Sequence, residues 1–295
     1  MADKKFAVLT DSASDMPYTL EAECGADIMK FSITVDGVAY TERDDFSFDE
    51  YYDMLRACQG IPSTAQVTML RFLEQFEQYD AAGVEQVLYV SINATGSATR
   101  DNAVLAKKKF AEKRPESKLE ITIVDSHCYS MAYGWFVAEA AKKLAAGEAM
   151  ADVVDWLNEA FTRVEILLGA FSLKFMKKSG RISAAAAIAG ELLGVRPIIT
   201  LNDGVSTVQK KVRGDKDLLP ALLEYAHSHR EDEFYMVGGT NSAVIEELAG
   251  MCQAKWGAPP AATFKLGAAV ATNTGPDAIA IVYMGPKRRE ADVAK

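Results

Sequence analysis

Phe6-Ala7-Val8-Leu9-Thr10-Asp11-Ser12 carries the clearest structural signal in the chain. Four apolar residues are followed at once by small polar ones, a pattern typical of a buried strand that ends in a polar loop. Similar apolar runs stand at residues 87–92 and 121–124, and helix-like segments separate them. Strands that alternate with helices over short loops predict a parallel sheet covered by helices, so we expect an α/β protein.

The alternation starts again after Glu165, which indicates a second unit. A hairpin is predicted over 197–212, and an earlier one turns at Asp36-Gly37, a pair favoured in such turns. We therefore expect two α/β lobes. Residues 1–165 form the first, with a mainly parallel sheet, and residues 166–295 form the second, with a mixed sheet.

The charge balance argues against a nucleic-acid partner. The 295 residues include 41 acidic and 32 basic side chains, for a net charge of -9. Nucleic-acid-binding domains usually show a basic surplus or a basic stripe. The basic residues at 107–109, 113 and 114 end a predicted helix, and we interpret them as a solvated helix face.

Cysteine spacing and hydropathy indicate the cellular compartment of the protein. Cys24, Cys58, Cys128 and Cys252 form no C-x-x-C pair, so we interpret them as reduced thiols and expect neither a disulfide framework nor a metal site. The first residues show no apolar signal segment, and no long apolar span follows. These observations predict a cytoplasmic protein without stable membrane insertion.

Small hydroxyl residues recur where predicted strands end and predicted helices begin. They occur in Pro62-Ser63-Thr64-Ala65-Gln66, at residues 93–99 and in Asp125-Ser126-His127. A hydroxyl before a helix usually caps it. Helix N-termini also bind anions, because they offer free N–H groups and a partial positive charge. Both interpretations stay open, and convergence of these loops on one crevice would favour a carboxylate or phosphate site.

The sequence contains few enzyme motifs. It has no phosphate-binding loop, no dinucleotide fingerprint, no H-E-x-x-H and no G-x-S-x-G. His127 could act as a base for Ser126 or Ser12, but a structural histidine explains it as well. Asp11 with Asp15, or Asp125, could bind a metal ion, and capping of nearby backbone amides is the alternative.

Short motifs run in order along nearly the whole chain. They are TDSASDMP at 10–17, PSTAQ at 62–66, GSATRDNA at 96–103, VDS at 124–126, FMKKSGRIS at 175–183, VRPII at 195–199 and TNTGPDA at 272–278. Each motif is weak alone. Together, and in this order, they resemble the motifs of the DegV family.

The resemblance implies a binding protein without catalysis of its own. Members of that family hold one long-chain fatty acid between two α/β lobes and need no other cofactor. The family resemblance also implies a partner, a separate ATP-dependent fatty-acid kinase. That kinase converts the presented acid to an acyl-phosphate for phospholipid synthesis.

The family motifs place the fatty-acid carboxylate near Thr64 and Ser97. Further candidates come from the same segments: Ser63, Thr99, Arg100, Asn273, Thr274 and Gly275. Asn273 stands where the family has histidine, and Arg100 stands where it has tyrosine and could add a positive charge. A carboxylate needs two or three fixed donors, which these hydroxyls can supply.

The acyl chain and the partner are assigned to the second lobe. Apolar residues are dense between 166 and 201, so we expect the acyl tunnel there. The tunnel candidates are Phe171, Ala186, Ala187, Ile188, Leu192 and Ile198. Arg181 and Arg213 are the candidates for docking the kinase, because the planar guanidinium suits an acidic surface or a phosphate.

Two other function classes remain as alternatives. A hydrolase could use Ser12, Ser97 or Ser126 with His127. A DNA-binding regulator is the second, and the net charge of -9 disfavours it.

Overall fold

The computed structural model describes residues 6–183 and 194–288. Four of the expected tunnel residues, Ala186, Ala187, Ile188 and Leu192, lie outside the described residues. None of the described helices is long and apolar enough to cross a membrane.

A four-stranded parallel sheet forms the first part of the molecule, with strand order β2-β1-β6-β7. Its strands are β1 (Phe6–Asp11), β2 (Asp27–Met29), β6 (Gln86–Ser91) and β7 (Glu120–Asp125). The accompanying helices are α1 (Tyr18–Cys24), α2 (Phe48–Ala57), α3 (Met69–Ala81), α4 (Thr99–Lys113), α5 (Met131–Ala145) and α6 (Met150–Phe161). The predicted parallel sheet is confirmed.

A small antiparallel sheet stands beside it, in the order β4-β3-β5. Its strands are β3 (Ser32–Val35), β4 (Val38–Thr41) and β5 (Ser63–Ala65). The Asp36-Gly37 turn is confirmed, and both residues have positive φ, at 46° and 84°. The apolar run before this turn forms two strands, because the chain leaves the parallel sheet at Lys30-Phe31: β2 joins the parallel sheet and β3 joins the small one.

The second part of the chain forms a six-stranded mixed sheet, in the order β10-β9-β8-β13-β11-β12. Its strands are β8 (Val164–Ala170), β9 (Val195–Asn202), β10 (Val205–Arg213), β11 (Tyr235–Gly239), β12 (Ala262–Lys265) and β13 (Ala278–Met284). The described helices are α7 (Lys174–Ser179), α8 (Leu218–His229), α9 (Ser242–Trp256) and α10 (Ala268–Thr274). The predicted mixed sheet and its second hairpin are confirmed.

The central strands β8, β13 and β11 of the mixed sheet are buried along their whole length. Successive side chains of a strand point to opposite faces, so these strands are covered on both sides. Its outer face, with Leu167 and Ile279, packs against α8 and α9. Its inner face, with Leu168 and Ala280, belongs to the same core as the parallel sheet. The inner face therefore provides apolar walls between the two sheets. The division at residue 165 falls at the start of β8 and stays a prediction.

Candidate functional site

A cavity of about 590 Å³ lies between the loops that follow the parallel sheet and the second part of the chain. Its walls come from the loop after β6, from β5, from residues 180–183 and from α10. The lining residues used below are Thr64, Thr95, Ser97, Asp101, Tyr129, Arg181, Leu201, Gly204, Val270, Asn273 and Thr274. Hydroxyl and amide side chains from distant segments thus converge on one crevice.

The two principal head-group candidates, Thr64 and Ser97, both line this cavity. Ser97 Oγ lies 2.9 Å from Thr99 Oγ1 and accepts a hydrogen bond from the Thr99 backbone N–H at 3.3 Å. Thr99 is buried and its hydroxyl accepts a hydrogen bond from Val67 N. Thr99 therefore positions Ser97 from behind, and Ser97 faces the cavity.

Thr64 does not stand at a helix start, contrary to the sequence-based expectation. It lies in the middle of β5, opposite Ile33 of β3, and the following helix α3 is capped by Thr68. Because successive side chains of a strand point to opposite faces, Ser63 points away from the cavity that Thr64 lines. Ser63 is exposed and is absent from the cavity wall.

Helix α10 contributes Asn273 and Thr274 to the wall. Asn273 Nδ2 donates to Ala269 O at 2.8 Å, and Thr274 Oγ1 donates to Val270 O at 3.2 Å. One N–H of the Asn273 amide group stays available to a ligand, since the group carries two. Gly275 lies behind the wall, where it ends α10 with φ 91° beside the ring of Phe175.

Two charged side chains line the cavity in the described part of the chain, Arg181 and Asp101. Arg181 is exposed, and its Nη1 donates to Ser179 O at 3.0 Å. Arg100, the expected cation, is not among the lining residues and instead pairs with Asp101 at 3.4 Å. The positive charge at this cavity therefore comes from Arg181.

Tyr129, Thr95 and Gly204 also line the cavity and were not predicted as site residues. A Cβ on Gly96 would stand 2.5 Å from the Tyr129 hydroxyl, so only glycine leaves space for the ring. Burial raises the pKa of the Tyr129 hydroxyl. A Cβ on Gly204 would stand 1.9 Å from Thr95 Oγ1, so the turn of the β9–β10 hairpin rests directly on the loop after β6.

A second, smaller cavity of about 20 Å³ adjoins the first. The two share Tyr129, Leu201, Val270 and Thr274. The remaining walls of the small cavity are mostly apolar: Ser130, Ile166, Leu168, Phe264, Leu266, Ala280 and Val282. The space is about the size needed for one water molecule, for which roughly 10–15 Å³ suffices, and is far smaller than an acyl chain. A chain can enter it only when the surrounding side chains move apart.

The two described tunnel candidates lie elsewhere. Ile198 is buried in the outer core with α8 and α9, and Phe171 packs against the same core. Neither lines the two cavities described above. Alternation along the strands accounts for this, since Ile199 rather than Ile198 belongs to the inner core.

The two candidate docking arginines are not neighbours. Ser183, two residues after Arg181, lies 3.0 Å from Ser206 through the side-chain oxygens, near the hairpin turn. Arg213 is at the other end of β10, about 23 Å further along the strand at 3.3 Å per residue. Arg181 is thus at the cavity, while Arg213 is remote from it.

The serines considered for nucleophilic catalysis are engaged in other hydrogen bonds. Ser12 Oγ donates to Glu42 and accepts from Phe31 N at 2.9 Å. Ser126 Oγ accepts from Cys128 N at 3.1 Å, and His127 Nδ1 lies 3.9 Å from Asp125. These contacts stabilise the loops after β1 and β7, so the geometry does not favour the hydrolase hypothesis.

Asp11, one of the suggested metal ligands, is fully buried. It accepts hydrogen bonds from the hydroxyls of Tyr89 and Tyr133 and from Ile92 N. Burial raises its pKa to about 6, against the lowering effect of these donors. Within residues 6–183 and 194–288, no three metal-binding side chains stand together, so the alternative of local capping describes Asp11 better.

Asp15 and Glu42 form a buried acidic pair beside α10. A Cβ on Gly267 would stand 2.5 Å from Asp15 and 2.8 Å from Glu42, so both carboxyl groups press on the start of this helix. Burial raises the pKa of Glu42 to about 7, and burial and the neighbouring Glu42 raise that of Asp15. Glu42 lies in a charged sequence run that resembles a solvated loop, so the sequence did not reveal it.

Known proteins are similar to this chain in sequence and in fold. A family model described as uncharacterised protein, DegV family, matches residues 5–285. A DegV domain-containing protein of Clostridium perfringens is 28% identical over 290 residues, which cover 96% of this chain and 98% of that protein.

Solved structures agree with this assignment. A structure described as a fatty acid binding DegV family protein from Streptococcus agalactiae is 25% identical with a TM-score of 0.83, and the match covers 96% of this chain and 99% of that one. A stearic-acid-binding protein from Eubacterium ventriosum is 22% identical with a TM-score of 0.86, over 95% and 98% of the two chains. The chain belongs to the DegV family.

Proposed function

We propose that this protein binds one long-chain fatty acid, with the carboxylate in the large cavity and the acyl chain in the small one. The observation that carries the proposal is that a cavity lined by hydroxyl and amide side chains adjoins an apolar one, with Tyr129, Leu201, Val270 and Thr274 in the walls of both. A fatty acid has the same order of chemistry along its length. The fatty-acid binding named for the family members above supports the same assignment.

Thr64 and Ser97 supply the neutral donors for the carboxylate. Both hydroxyls line the large cavity, and the amide of Asn273 adds a third donor from the opposite wall. Arg181 supplies positive charge at the same cavity. Hydrogen bonds to a charged group contribute about 1.5–3 kcal/mol each, so two or three of them suffice to fix the head group.

The acyl chain is assigned to the inner face of the mixed sheet rather than to the Ile198 side. Leu168, Ala280 and Val282 present apolar surface there, in the small cavity next to the large one. Each buried methylene contributes about 0.8 kcal/mol, which offsets the rearrangement needed to open the collapsed space.

Mass spectrometry under native conditions tests the proposal. Protein purified from a bacterial host is expected to carry one acid of 14 to 18 carbons, released by denaturation and identified by its mass. Delipidated protein should regain the added mass when it is incubated with palmitate or oleate, but not with the matching fatty alcohols. Protein that neither carries an acid nor takes one up would refute the proposal.

We further propose that the protein, in the cytoplasm, presents the bound carboxylate to a separate ATP-dependent fatty-acid kinase. The exposed Arg181 lines the head-group cavity, which supports a carboxylate close to the protein surface. Formation of acyl-phosphate by the cognate kinase, with this protein as the only source of acid, is the expected result. Equal turnover with free fatty acid and without this protein would exclude the role.

A further inference from the structure

A third space lies beyond the small apolar cavity. It is a surface groove of about 450 Å³, and Phe264 is the residue that lines both this groove and the small cavity. The other groove residues used below are Tyr18, Phe48 and Ile245. The small cavity therefore shares wall residues with the large cavity on one hand and, through Phe264, with the groove on the other.

The ring of Phe264 is held in place from behind. Phe264 is buried in β12, and its partner across the parallel strand pair is Gly238 of β11. A Cβ on Gly238 would stand 2.2 Å from two carbons of the Phe264 ring. The ring thus lies flat against bare backbone, and no side chain at 238 could share this space. Such a fixed aromatic side chain forms a rigid wall.

The groove beyond that wall can accept apolar atoms. Tyr18 and Phe48 stack with ring centres 6.3 Å apart, and Ile245 of α9 also lines the groove. Tyr18 is about half exposed, although it is a large aromatic side chain. Carbon atoms that passed Phe264 would therefore meet apolar surface rather than bulk water alone.

We propose that Phe264 closes the far end of the acyl-chain site and thereby sets the longest fatty acid that the protein accepts. The inference rests on the proposed function and adds to it the residue that determines chain length. A chain that reaches the ring cannot continue straight into the groove, so further methylenes must fold back or remain in the large cavity. Removal of the ring joins the small cavity to the groove.

Binding of saturated acids from C12 to C22 to delipidated protein tests the inference. For the wild type, affinity is expected to rise by about fourfold per methylene and then to fall beyond a limiting length. In Phe264→Ala this limit should move up by two or more carbons. Phe264→Leu, which keeps more of the packing, should move it in the same direction by a smaller step.

Phe110→Leu is the matched control. Phe110 is similarly buried, but it lies in α4 and in neither cavity nor the groove. This variant should lower the melting temperature without moving the limiting length. An unchanged limit in folded Phe264→Leu or Phe264→Ala would overturn the inference. A wild type that binds no acid of any length would instead refute the proposed function itself, and the two failures are thus distinguished.

Discussion

Glu42 accepts a hydrogen bond of 2.9 Å from the backbone N–H of Ala269, which lies 227 residues further along the chain. The same carboxyl group also receives the Ser12 hydroxyl. Ala269 belongs to the first turn of α10, the helix that carries Asn273 and Thr274 into the head-group cavity. A buried acid from the first part of the chain therefore fixes the helix that forms the opposite wall of the site.

The stability of the protein should depend on the protonation of Glu42. Its pKa is raised by burial from 4.5 to about 7, so the folded state binds more protons than the unfolded state in this interval. The free energy of unfolding therefore falls as the pH rises from about 4.5 to 7, by an amount on the order of 3 kcal/mol for this group. Burial shifts the pKa values of Asp11 and Asp15 in the same direction.

Urea unfolding of Glu42→Gln at pH 5 and pH 7.5 measures this effect. The glutamine keeps an acceptor for Ala269 N and offers a donor to Ser12, but it cannot ionise. We expect a smaller loss of stability between the two pH values than in the wild type. Glu50→Gln is the control, because the pKa of this exposed helix-capping carboxyl group is lowered by hydrogen bonds from Ser47. An unaltered pH dependence in Glu42→Gln would contradict the prediction.

Loss of either head-group hydroxyl should weaken fatty-acid binding. Ser97→Ala and Thr64→Val each remove one donor to a charged ligand, so we expect a loss of about 1.5–3 kcal/mol, or roughly tenfold to a hundredfold in affinity. Titration with a fluorescent fatty acid gives the affinities. Ser63→Ala provides the control, since Ser63 lies on the opposite face of the same strand and should bind as the wild type does. Wild-type affinity in both Ser97→Ala and Thr64→Val would show that the carboxylate is bound elsewhere.

A larger side chain at Ala280 should shorten the acids that are accepted. Ala280 lines the small apolar cavity from the inner face of the mixed sheet, and Ala280→Leu fills part of that space. Mass spectrometry of the co-purified acids should show a shift towards shorter chains. Ile198→Val, on the outer face of the same sheet, should lower stability by about 0.5–1.5 kcal/mol and leave the acids unchanged. A change in the acids bound by Ile198→Val, with none in Ala280→Leu, would instead place the acyl chain on the Ile198 side of the sheet.

The fold could be predicted from the sequence where strands are long and apolar. The strand at β1 and its neighbours β6 and β7 are such runs, so their parallel arrangement was foreseen. Strand β5 was missed because it is three residues long and consists of serine, threonine and alanine, which give no apolar periodicity. Its place depends on pairing with β3, a contact that only the folded chain provides.

Site residues that belong to a sequence motif could be predicted. Site residues that reach the cavity through packing of distant loops could not. Thr64, Ser97 and Asn273 stand in motifs and line the cavity. Tyr129 is there because Gly96 leaves space for its ring, and this relationship joins residues from different loops. The tunnel prediction relied on apolar content alone, which cannot distinguish the two faces of a buried strand.

The last prediction concerns the kinase and separates binding from presentation. Arg181 borders the head-group cavity, whereas Arg213 lies at the far end of β10, so a partner that uses both must cover the whole length of the hairpin. Arg213→Ala should leave fatty-acid affinity nearly intact and slow acyl-phosphate formation several-fold at low salt, because interface charges act mainly on the association rate. Arg181→Ala should slow the kinase reaction in the same way and, in addition, weaken binding of the acid.

Lys107→Ala, which changes an exposed charge on α4, serves as the control and should change neither quantity. The difference from wild type should shrink as salt is added, since exposed charges are screened. Wild-type kinase turnover in both arginine variants at low salt would exclude this surface as the docking site.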